Sequence, residues 1–201
     1  TWVLAKVNES FDILGDDRVD SFLLLSNPHQ YGKAINVRFT PIRVVCNNTL
    51  TFSLSANSNN QVTMNHRSKF NPDEVKAHMG IAHDKFAQYK EMANYLGHKQ
   101  ASFGDLINYF NNVFPVANAA AREAKSYSDL SRTAKIAMDQ LDTQPGAEYG
   151  RGSWWQALNA VTYTTDHLLG RSADTRMASA WFGSNQAKKV KAVNLAVEMA
   201  S

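Results

Sequence analysis

The chain changes hydrophobic period about a third of the way along. Before position 70, apolar residues come in short runs or alternate with polar ones, which is the period of half-buried strands. Positions 2–7, 11–14 and 20–25 are β-prone, with Gly15-Asp16-Asp17 as a turn between the second and third runs. Asn27-Pro28-His29-Gln30-Tyr31-Gly32 is a second turn. It leads into 34–40, where Ile35, Val37 and Phe39 alternate with Asn36 and Arg38, so Arg38 is expected on a polar face. Pro41 is expected to open a helix through Cys46-Asn47-Asn48 to about 56, although Leu50, Phe52 and Leu54 alternate like a strand. A polar loop over 55–61 precedes a further strand-like pattern over 62–67.

After position 70 the spacing becomes that of helices. Asn71-Pro72-Asp73-Glu74 combines an N-cap, a proline at the first helical position and a glutamate at the third. Val75, Met79, Ala82, Phe86, Tyr89, Ala93 and Leu96 then form one buried stripe, ended by Gly97. Further helices are predicted over 102–114, 128–141, 153–169, 174–182 and 184–199, with Pro115, Pro145-Gly146, Gly170 and Gly183 as stops. The order is α+β: a small antiparallel sheet with a crossing helix in the N-terminal half, then a helical C-terminal half. It reads as one domain, β-rich over 1–70 and helical over 71–201. The chain enters a strand at its first residues, so a preceding N-terminal portion is expected in the whole protein.

Composition adds boundaries. At 201 residues and 44% hydrophobic content the chain can bury a core without staples. Cys46 is the sole cysteine, so an internal disulfide and a cysteine-rich zinc site are excluded; a small buried hydrophobe is its ordinary role. A net charge of +3 tolerates an anionic partner without demanding one. No apolar run of membrane-spanning length occurs, and a cytoplasmic setting is expected.

Enzyme motifs are missing: no phosphate-binding P-loop, no GxSxG, no HExxH and no Rossmann glycine pattern. His78 and His83 are five apart and share no helical face. Asp16, Asp17 and Asp20 cluster at a turn, where ordinary solvation competes with a cation site. A Cys46–His66 dyad has no identifiable third group to orient it. No catalytic residue and no cofactor are therefore expected.

Cations are the better candidates. Arg38 and Arg43 flank Pro41, and His66-Arg67-Ser68-Lys69 follows another strand; together they could line one groove for a phosphate backbone. Arg43 has the alternative of a buried structural arginine paired with an acid such as Asp20. Lys76, His83 and Lys90 recur every seven residues, either as a solvated face or as a positive ridge continuing that groove. In Arg151-Gly152-Ser153-Trp154-Trp155, Arg151 is a candidate phosphate contact and Trp154 a base-stacking platform, while Trp155 has core spacing. Lys188, Lys189 and Lys191 read as surface charge.

Gly15-Asp16-Asp17, Leu23-Leu24-Leu25-Ser26-Asn27-Pro28-His29, Arg38-Phe39-Thr40-Pro41-Ile42-Arg43-Val44-Val45-Cys46-Asn47-Asn48-Thr49-Leu50, Asn65-His66, Arg151-Gly152-Ser153-Trp154-Trp155, Asn159-Ala160-Val161-Thr162, Asp166-His167 and Trp181-Phe182-Gly183 resemble the phage/plasmid-like protein family of domain of unknown function 932. The most specific piece is the stretch from Thr40 to Leu50. Two departures are His29-Gln30-Tyr31-Gly32, where the family has a His-Asp-Gly type of turn, and His66-Arg67, where it has His-Thr. The resemblance implies a role in mobile-element DNA metabolism. The element order is also similar to that of single-strand annealing proteins, a fold-level analogy. The resulting expectation is a non-enzymatic single-stranded DNA-binding and annealing protein, acting as a homo-oligomer through Arg38, Arg43, His66, Arg67, Lys69, Lys76, Arg151 and Trp154. The alternatives are a structural or interaction protein of a mobile element, and a metal- or His-dependent enzyme acting on nucleic acid.

Overall fold

A computed structural model describes residues 2–27, 35–46, 48–49, 61–64, 71–116 and 124–201, with the backbone alone at 2, 38–39, 61–64, 72, 74–83 and 85. The architecture is α+β. Strands β1 (Trp2–Ile13), β2 (Asp17–Ser26), β3 (Ile35–Arg43), β4 (Asn48–Thr49) and β5 (Gln61–Met64) form one antiparallel sheet in the order β1-β2-β3-β4, with β5 also paired to β3. The two N-terminal runs read as separate strands are one strand, with a register shift between Lys6 and Ser10. Its hairpin turn puts Leu14 (φ 52°) and Gly15 (φ 95°) in the left-handed region. Leu14 accepts that conformation because it is anchored: its N–H donates to Asn94 Oδ1. Its side chain fills space that a Cβ at Gly97 or Gly150 would take.

The helix expected from Pro41 does not form. Residues 41–43 complete β3, 44–46 turn, and Asn48–Thr49 pair back onto Arg43 and Ile42. Proline at a helix start and proline at a sheet edge look alike in sequence. Among the described residues, Pro41 falls in the gap between the β5 pairing and the β4 pairing, where β3 is locally an edge.

The helices follow their sequence signals: α1 (Pro72–His98), α2 (Phe103–Val113), α3 (Arg132–Asp139), α4 (Trp154–Tyr163), α5 (Ala173–Phe182) and α6 (Ser184–Ala200). Helices α2 to α5 each begin behind a serine, Ser102, Ser131, Ser153 and Ser172, whose side chain accepts the N–H three residues on. Helix α4 runs into a π-helical turn, Thr164–Leu168.

Strand parity explains how the sheet is covered. Odd-numbered residues Phe11, Ile13, Val19 and Arg43 lie on one face and join the main core with α1 and α4; the Phe11 ring meets Phe86 at 4.7 Å. Even-numbered Leu24 lies on the other face, in a small second core with Ala180 and Trp181 of α5 and with Leu4 at its margin. The main core is aromatic at its centre, where Tyr89, Tyr109, Phe110, Trp154 and Trp155 are all essentially inaccessible.

Candidate functional site

The signature stretch from Thr40 to Leu50 folds inward. On the odd face, Arg43 is 1% exposed and Asp17 is 0% exposed; Arg43 Nε lies 2.7 and 2.8 Å from the two carboxylate oxygens. Arg43 Nη2 donates to the Gly146 carbonyl at 2.7 Å and Nη1 to the Pro145 carbonyl at 3.3 Å. Gly146 must lack a side chain here, since a Cβ would stand 2.6 Å from Val45 Cγ1 and 2.7 Å from Arg43 Nη2, and its φ is +75°. Trp155 Nε1 donates to the same Asp17 carboxylate at 2.8 Å. Burial works against the charge of Arg43, and the hydrogen bonds and field of Asp17 outweigh it, so the guanidinium stays charged.

Strand β4 ties the sheet to the helices on both faces. Asn48 Nδ2 donates to Thr162 Oγ1 at 3.0 Å, and Asn48 Oδ1 lies 3.1 Å from His167 Nε2. Thr49, the next residue, gives its N–H and its hydroxyl to Asp166 Oδ2, both at 2.7 Å. Asp166 Oδ1 accepts from Lys189 Nζ at 2.8 Å, and Lys189 also donates to Thr49 Oγ1 at 2.6 Å. The two family-like stretches, more than a hundred residues apart, therefore meet through hydrogen bonds inside the molecule.

This placement corrects several expectations. Arg43 is not a phosphate contact: it is held by an internal acid, Asp17 rather than the expected Asp20. Asp20 instead pairs with Lys6 and Arg18. Positions 38 and 43 cannot line one groove, because β3 runs unbroken between them and an odd spacing puts them on opposite faces. Trp154 is not a stacking platform; it is 1% exposed and meets Tyr109 edge-on at 5.5 Å. Lys189 is not surface charge but 1% exposed. A signal for it existed: Asn185, Lys189, Ala192, Val193 and Ala196 share the three-four spacing of the buried face of α6.

Arg151 is exposed in the turn before α4. His66, Arg67 and Lys69 lie outside the described residues, as do the side chains of Arg38 and Lys76. Cys46 is buried, and burial pushes its thiol up against the pull of Arg43, so it is a poor nucleophile. Among the described residues no cluster of His, Cys, Asp and Glu could hold a metal ion, and no helix is long and apolar enough to cross a membrane.

The fold and these ties define a class: an α+β protein whose sequence signature serves as internal ties between a sheet and a helical half. The chain belongs to the family described as Domain of unknown function (DUF932), whose model matches residues 1–191. No curated protein and no solved structure matches the chain.

Proposed function

We propose that this protein binds single-stranded DNA and anneals complementary strands without nucleotide hydrolysis, assembling as a homo-oligomer. The observation that carries the reading is a polarised charge distribution. From Ser21 to Pro72 the chain has no Asp or Glu, while it has Lys33, Arg38, Arg43, Arg67 and Lys69. Outside that stretch the remaining 16 Lys and Arg face all 18 acids. Of the five, Arg43 is spent internally on Asp17; the side chains of the other four lie outside the described residues. The acid-free stretch supplies most of β2 and all of β3, β4 and β5 and runs up to the start of α1, which makes it a cationic sector of the sequence. A polyanion gains from such a sector by releasing counterions, with no reading of sequence and no cofactor. The revised contact set is Arg38, His66, Arg67, Lys69 and Lys76, together with the exposed Arg151.

The test is titration of a labelled oligothymidylate at several salt concentrations, with the wild type and with Arg67→Glu/Lys69→Glu. Binding should weaken steeply with salt, and the double variant should bind more weakly with a shallower salt slope. Strands should remain intact and complementary strands should pair faster. Absence of binding at low salt removes the proposal and leaves the structural role as the better reading.

A further inference from the structure

Between the even face of the sheet and α5 lies a cavity of about 540 Å³. That is within the roughly 300–1,000 Å³ of small-molecule sites. Its walls are of two kinds. Phe22, Met177 and Trp181 give it a flat apolar body, and Thr49, His167 and Arg176 gather polar groups toward the π-helical turn. Such turns interrupt a helix at a cost and recur at functional sites.

The charges around the cavity do not cancel. Asp166 also faces it, but both of its oxygens are taken by Thr49 and Lys189, and that pair is neutral as a unit. Burial is the largest influence on His167 and holds it below its ordinary 6.5, despite the opposing field of Asp166, so the imidazole is uncharged at neutral pH. Arg176 has no such balance. Its guanidinium donates to the His167 carbonyl, its buried Nε meets no acceptor, and no described carboxylate pairs with it. A half-buried guanidinium with an unfilled fork beside an apolar hollow is matched by a planar anion.

We propose that this cavity binds a small organic anion with a flat apolar body, its anionic group on Arg176 and its body among Phe22, Met177 and Trp181. The site borrows Phe22 and Thr49 from the strands of the acid-free stretch but uses none of the cations of the DNA reading, so either can fail without the other. Arg176 holds the anion; the apolar walls select for a ring over a flexible chain, since a rigid body loses less freedom on binding.

A matched pair of probes tests this: naphthalene-1-carboxylate and the neutral naphthalene-1-carboxamide, measured by calorimetry on the whole chain. The carboxylate should bind saturably and more tightly than the amide by about tenfold, the size of one charge-assisted hydrogen bond. Arg176→Gln should abolish that preference. Met177→Trp, which fills the hollow from the apolar side, should weaken both probes while leaving thermal unfolding intact, so the test survives if the arginine variant misfolds. Equal affinity for the two probes, a preference retained in Arg176→Gln, or unchanged binding in Met177→Trp would each overturn the proposal, as would the absence of saturable binding.

Discussion

The two faces of the sheet are built on different principles. The odd face is sealed among the described residues: Phe11, Ile13 and Val19 pack into the aromatic core, and the charged pair Asp17 with Arg43 has hydrogen bonds from or to Trp155, Gly146 and Pro145. Among the described residues the even face is only partly covered. Its apolar cluster is small, a cavity stands beside it, and its outer charges, Lys6 and Arg18 on Asp20, reach solvent. The sealed face carries the stability of the fold; the loosely covered one has room for a ligand. Strand β4 shows the contrast in two residues, since Asn48 turns to α4 and Thr49 turns to the cavity side.

The sharpest way to break the comparison is to unpair the sealed face. Asp17→Ala strands a buried guanidinium and an indole N–H together, and should cost about 3–5 kcal/mol in a denaturant titration. Paired ring deletions come next. Phe86→Ala removes a buried ring packed on Phe11 and should cost about 3–4 kcal/mol, whereas Phe22→Ala merely enlarges an existing hollow and should cost about 1–2 kcal/mol. Equal losses would erase the distinction between the faces. Lys189→Met should cost about 2 kcal/mol, less than Asp17→Ala, because Asp166 keeps both hydrogen bonds from Thr49.

The smallest effect concerns pH. His167 has its folded value depressed, so the unfolded chain takes up a proton first as pH falls below 6.5. The stability that neutral His167 contributes is full above 6.5 and declines as pH drops toward the folded value. His167→Gln should flatten that part of the stability curve, measured by melts between pH 7 and 5. Asp20 has the same sign at lower pH. Burial raises it, but Lys6 and Arg18 outweigh burial and hold it below 3.8, so Asp20→Asn should lower stability at neutral pH and make progressively less difference as pH falls below 3.8.

Local patterning determined the fold class, the sheet-then-helix order, the helix starts at Ser102 and Ser153 and the stripe Phe86, Tyr89, Ala93, Leu96, because these depend on local period and stop signals. The same local reasoning placed Trp155 in the core and allowed Arg43 to be internal. It could not choose between strand and helix after Pro41, since proline suits both settings and pairing with β2 decides. Nor could it tell that Arg43 and Lys189 are spent inside the molecule. A cation looks alike in sequence whether it meets water, phosphate or a buried carboxylate. Which of these it meets depends on partners more than twenty residues away, Asp17 for Arg43 and Asp166 for Lys189, and only the tertiary fold brings those carboxylates within hydrogen-bond reach.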